Sequence, residues 1–178
     1  MKEIVTSISF GRLISLLTFP GVIIHEWAHK FFCNRAHVPV YKTCYFRLGS
    51  PAGYVVHGPA DSYWKAFLIS ISPFIVNTLL AFLVYLVAFN IPLGVTTYLL
   101  CWLGISLAMH SFPSSADADS LWIYTRTAWK RNPLVLFGFP VAGLVRLAAM
   151  LNVIWFDLLY AVFLLLLVAF LVGGEVLF

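Results

Sequence analysis

Apolar residues fill five long stretches of this chain, and the polar residues collect in the gaps between them. The stretches are 13–33, 66–89, 95–112, 134–151 and 157–178. Each is close to the roughly twenty apolar residues a helix needs to cross a bilayer. Pro20-Gly21 predicts a kink in the first, and the turn Asn90-Ile91-Pro92-Leu93-Gly94 joins the second to the third. The fourth is interrupted by Pro140 and carries Arg146, so a tilted or re-entrant course is its alternative. Two segments break the pattern. In 34–64, Tyr45-Phe46-Arg47-Leu48 and Tyr54-Val55-Val56-His57 flank Gly49-Ser50-Pro51-Ala52-Gly53, and strand formers around such a cluster predict a hairpin. In 117–130, Leu121, Trp122 and Trp129 form the apolar side of an interfacial helix, with Arg126, Lys130 and Arg131 reaching toward headgroups.

Composition points to lipid as the solvent. Of 178 residues, 62% are hydrophobic and only 10% charged, against about a quarter charged in a soluble domain. The net charge of +4 would suit a nucleic-acid partner, but clustered Lys and Arg beside apolar spans are explained by the positive-inside rule. If the first three helices alternate, Lys30, Arg35, Lys42, Arg47, Lys65, Arg126, Lys130 and Arg131 share one side. Lys2, Arg12 and Arg146 remain for the other. The two polar loops are then cytoplasmic and the N-terminus outside, with no nucleic acid among the partners; the expected location is the plasma membrane of a prokaryote. The first apolar run has no cleavage region after it and is expected to be retained. Cys33, Cys44 and Cys101 are odd in number and widely spaced, which excludes a disulfide framework, although Cys33 stands at i+4 from His29.

The chemistry concentrates at the end of the first apolar stretch, in His25-Glu26-Trp27-Ala28-His29. On a helix, positions i and i+4 share a face, so both imidazoles can reach one Zn²⁺ while Glu26 serves as base for a water activated by the metal. Two histidines leave zinc short of a third protein ligand. The chain has seven acidic residues, and Glu3, Asp157 and Glu175 are poorly placed, the first two on the far side. Asp61, Asp117 and Asp119 remain, with His57 and His110 as imidazole candidates. Asp117 and Asp119 could each instead cap the interfacial helix.

The H-E-x-x-H on a first core helix resembles the site-2 protease family of intramembrane zinc metalloproteases, in a divergent branch of small zincin-like membrane peptidases. Ser72-Pro73-Phe74-Ile75-Val76-Asn77 is similar to that family's G-P-x-x-N segment, with Ser for Gly. The run from His110 through Pro113 to Asp117 is similar to its N-x-x-P…D-G motif, with His for Asn and no Gly after either Asp. The resemblance covers about residues 13–119 and implies Asp117 as third ligand, with Asp119 as the alternative; with Asp117 on the metal, capping is assigned to Asp119. It implies one membrane-embedded metallopeptidase domain over 1–178. The fold class expected is an all-α polytopic membrane protein with about five transmembrane helices. Its three-helix catalytic core carries a small β-hairpin between helices one and two, and additional helices follow over 133–178.

The function expected is therefore a zinc-dependent endopeptidase acting on a membrane-embedded or membrane-proximal peptide. A peptide bond inside a helix is shielded by its own hydrogen bonds and must be unwound before attack. A strand edge can hold the extended segment, so Val55 and Val56 are candidate substrate-binding residues. Asn77 is a third: it contacts substrate backbone or oxyanion, or else glues helices together. The alternative function is a non-catalytic zinc-binding membrane protein, a metal carrier, sensor or peptide-binding subunit. That reading has no use for Glu26 and needs a polar path through the helices.

Overall fold

The computed structural model describes residues 11–129, 133–151 and 155–173. Lys2, Glu3, Lys130, Arg131, Glu175 and the end of the fifth apolar stretch lie outside the described residues. The described chain is mostly helical, with one two-stranded antiparallel sheet. In chain order it runs α1 (Phe19–Arg35), β1 (Val40–Cys44), β2 (Tyr54–His57), α2 (Tyr63–Phe89), α3 (Val95–Met109), α4 (Ser115–Ala128), a 3-10 turn (Pro133–Phe137), α5 (Gly138–Leu151) and α6 (Phe156–Gly173). Residues 11–17 are helical too, separated from α1 by a turn at Thr18. That break sits where Pro20, near the start of α1, cannot donate to the preceding turn.

Small residues set how closely the helices approach. A Cβ on Gly21 of α1 would lie 1.9 Å from the Ser106 carbonyl oxygen of α3, so only glycine fits. A Cβ on Gly104 would lie 2.3 Å from the Tyr85 ring, which occupies that space instead. Around Tyr85, the wholly buried Ala81, Ala108, Ala161 and Val168 close the seam between α2, α3 and α6. A second cluster, Tyr63, Ala118, Leu121, Val135, Ala142 and Val145, binds α4 and α5 to the start of α2.

The hairpin lies between α1 and α2, but its first strand is not where the sequence pattern placed it. The partner of Tyr54–His57 is Val40–Cys44, with Cys44 opposite Tyr54 and Thr43 opposite Val55. Residues 45–48 belong to the connecting loop. Phe46 turns onto Phe19 of α1 (ring centroids 6.0 Å apart), and Arg47 N–H donates to the Ala52 carbonyl at 2.7 Å. Packing of the half-buried Phe46 ring against α1 overrides its strand propensity.

Among the described residues, two helices, α2 and α6, are long and apolar enough to cross a membrane. The fourth apolar stretch, 134–151, lies within a 3-10 turn and a 14-residue helix, the helix about 21 Å long. It packs along α4. After it, α6 begins against the end of α3: the Phe156 and Phe112 rings meet at a tilt with centroids 5.2 Å apart, and Tyr160 shares a 2.9 Å hydrogen bond with Thr78. The chain therefore returns to the face it left at Phe112. On α5, Ala142 and Val145 pack inward, while Leu144, Leu147 and Met150 remain exposed.

Candidate metal centre

The two motif histidines occupy one face of α1, and each ring is tied by its Nδ1 to a backbone carbonyl. His25 Nδ1 lies 2.8 Å from the His110 oxygen, and His29 Nδ1 lies 3.0 Å from the Ile69 oxygen. A carbonyl can only accept, so both Nδ1 atoms carry a proton, and each ring in its neutral form presents the Nε2 lone pair. Those two Nε2 atoms converge to 3.2 Å. Asp117 brings a carboxylate to the same point, with Oδ2 3.3 Å from His29 Nε2.

Asp117 reaches this position from the first turn of α4. Ser114 is the N-cap, accepting from Asp117 N–H at 3.3 Å, and its own N–H donates to Asp117 Oδ2 at 2.9 Å. The Ser114 hydroxyl donates to the same oxygen. The expected division of labour between the two aspartates is thus corrected. Asp119 does not cap; it pairs with Arg146 at 3.3 Å, exposed and away from the histidines. Ser114 caps, because its hydroxyl precedes the helix where Asp119 is already inside it. Asp117 completes the cap and faces the histidines at once. Burial opposes ionisation of Asp117, but positive charge on the facing His29 and His25 rings and the Ser114 hydroxyl outweigh it. They hold the carboxyl well below the usual carboxylate range.

Three acceptor atoms facing one another repel unless a cation is shared. Nε2 of each histidine and an Asp117 carboxylate oxygen all lie within 4.8 Å of one another. Two ligands on a tetrahedral zinc, each about 2.0–2.1 Å from the ion, are about 3.3 Å apart. Two of the three separations match that edge, so the donor set fits zinc. Cys33, wholly buried among Val38, Ala66 and Ile69, is not in the cluster.

Glu26 is buried on the same wall, and the hairpin loop roofs it. A Cβ on Gly53 would fall 2.6 Å from Glu26 Cγ, so the loop backbone rests directly on this side chain. The centre opens into a cavity of about 690 Å³ walled by α1, the loop, β2 and the segment before α4. Val55 and His57 line it, while Val56 is 46% exposed and outside the wall. In an antiparallel pair alternate residues direct N–H toward the partner, so only one of Val55 and Val56 offers its N–H at the free edge. Asn77 is wholly buried and absent from the cavity wall. Its Nδ2 donates to the carbonyls of His110 (2.7 Å) and Gly21 (3.2 Å). Asp61 is remote, bound to Lys65 at 2.8 Å.

Asp157 is the residue that sequence reasoning misplaced. Expected on the far side, it lines the same cavity as His25 and His110 because α6 starts on this face. The only sequence signal was the short, proline-broken character of the fourth apolar stretch.

Comparison with protein-family models, with curated proteins and with solved structures finds no match.

Proposed function

We propose that this chain is a zinc-dependent endopeptidase embedded in a membrane and acting on membrane-embedded or membrane-proximal peptides. One observation carries the reading: two histidine lone pairs and a carboxylate converge while Glu26 stands beside them in a cavity large enough for an extended peptide. His25, His29 and Asp117 would hold the metal. Zinc there supplies Lewis acidity to the attacking water and to the scissile carbonyl. Glu26 takes the proton from that water and delivers it to the leaving amine. The roof over Glu26 limits water access, and the free edge of β2 holds the unwound substrate by backbone pairing. Intact Glu26 in the cavity wall favours this over a carrier or sensor, which has no use for a base.

The membrane reading is a multi-pass protein. Exposed apolar side chains recur along α2 (Ile75, Leu79, Leu83, Val87) and α6 (Leu159, Phe163, Leu166, Phe170), stripes that suit lipid. Residues 11–35, α2, α3 and α6 make four crossings, with α4 and α5 on the side of the metal centre. By the positive-inside rule that side is cytoplasmic. Single cysteines at Ser50 and Ser114 should be shielded from an impermeant thiol reagent in intact cells, and ones at Gly94 and Gly173 labelled. A shielded Gly173 position beside a labelled Gly94 would restore the fifth crossing.

Zinc quantification and cleavage of a transmembrane peptide in detergent test the function. The wild type should hold about one zinc and cleave. Cleavage that survives removal of all zinc would end the metallopeptidase reading.

A further inference from the structure

Both histidine rings are aimed by carbonyls that a regular, isolated helix would not offer, and one six-residue segment of α2 is responsible for both. In an unbroken helix the Ile69 carbonyl would accept from the N–H of residue 73. Residue 73 is proline, which has no N–H, so that carbonyl is released inside the helix. Ser72 Oγ takes one of its lone pairs at 2.8 Å, and His29 Nδ1–H takes the other at 3.0 Å. His110 is the C-cap of α3, where carbonyls have no helical partner. Its oxygen receives His25 Nδ1–H at 2.8 Å and Asn77 Nδ2 at 2.7 Å. The same Nδ2 also reaches the Gly21 carbonyl at 3.2 Å, which ties α1 and α3 to α2 at the level of the rings. The orientation of the Asn77 amide is determined: turned over, Oδ1 would face two carbonyl oxygens. Ser72, Pro73 and Asn77 are all wholly buried.

We propose that Ser72-Pro73-Phe74-Ile75-Val76-Asn77 is the orienting element of the metal centre. Pro73 is the positioning residue for His29, and Asn77 for His25. The proposal rests on the zinc reading for its consequence, since an imidazole whose Nδ1–H is bound to a carbonyl presents a fixed and more basic Nε2 to a metal. It also assigns Asn77 a task on the far side of the histidines from the substrate.

Two variants separate the halves. Pro73→Ala restores an N–H that competes for the Ile69 carbonyl. Asn77→Asp keeps the shape, removes both donors and sets an acceptor against the His110 carbonyl. The measurements are the zinc dissociation constant by chelator competition, the absorption spectrum of the cobalt-substituted protein, ¹⁵N spectra of the histidine rings in metal-free protein, and thermal unfolding. Each variant should weaken zinc binding by about 10- to 100-fold and shift the cobalt bands. Pro73→Ala should disturb the tautomer of His29 alone, and Asn77→Asp that of His25 alone. Ser106→Ala, which cuts the α1–α3 side-chain bonds but neither carbonyl contact, should lower the unfolding temperature with zinc affinity within about twofold of wild type. Pro73→Ala raises helix propensity and keeps the test open should Asn77→Asp not fold. If both variants unfold earlier but bind zinc as the wild type does, with tautomers unchanged, the segment only packs and the proposal is overturned. A wild type that takes up no zinc while the tautomers still shift would remove the zinc reading and leave the orienting role standing.

Discussion

The α1–α3 junction and the α2–α3–α6 seam both bring helix backbones close together, but with different chemistry. At the junction Gly21 meets the Ser106 carbonyl, and almost every nearby polar group is paired. Ser106 Oγ accepts from Gly21 N–H and donates to the Thr18 carbonyl, both at 2.9 Å, and Asn77 bridges to α2. Asn77 Oδ1 is the one buried side-chain atom without a partner among the described residues. At the seam, Ala81, Tyr85, Gly104, Ala108, Ala161 and Val168 interlock with few polar bonds, such as Tyr85 hydroxyl to the Ala161 carbonyl at 3.4 Å. Small residues and van der Waals contact are enough to join helices in lipid. The junction carries more polar bonding than joining requires, and the part made by Asn77 falls on the carbonyl that also holds His25.

The largest expected effect tests whether chemistry is confined to the junction. Glu26→Gln should lower peptide hydrolysis by about 10²–10⁴-fold with zinc content unchanged, whereas Tyr85→Phe at the seam should cleave within about twofold of wild type. Zinc lost together with activity in Glu26→Gln would make Glu26 a ligand rather than a base.

Next in size is the contrast between the two aspartates. Asp117→Ala should raise the zinc dissociation constant beyond the roughly 100-fold typical of outer partners. Asp119→Ala removes an exposed ion pair worth about 0–1 kcal/mol and should leave zinc binding alone. The reverse result would move the third ligand to Asp119.

Glycine substitutions sharpen the comparison further. Alanine at Gly21 collides with backbone, and at Gly104 with a side-chain ring. Each overpacking should destabilise by about 1–3 kcal/mol, but only Gly21→Ala should also weaken zinc binding. Equal zinc loss in both would mean that the metal centre responds to any change in helix packing. Smallest of all, Thr78→Val breaks the bond to Tyr160 and should lower stability in detergent by about 0.6 kcal/mol, with zinc binding unaltered.

Helix periodicity and apolar run length are local properties, so the sequence alone determined much of this molecule. It placed His25 and His29 on one helical face with Glu26 next to them in the chain, marked the long apolar helices α2 and α6, and located the strand Tyr54–His57. Pro73 was legible too: a proline four residues after Ile69 frees that carbonyl wherever the helix packs. What the freed carbonyl would meet was not legible. Asp117 and Asp119 have similar local prospects as caps and ligands, and only the seating of α4 turns one to the histidines and the other to Arg146. The place of Asp157 depends on which side α6 starts from. That is decided by ring packing between Phe112, Phe156 and Tyr160 across more than forty residues of chain. Contacts between distant segments leave no period in the sequence, because any apolar partner of fitting volume satisfies them. The local spacing of His25 and His29 was therefore written in the chain, while the direction in which their rings point was settled by how the helices meet.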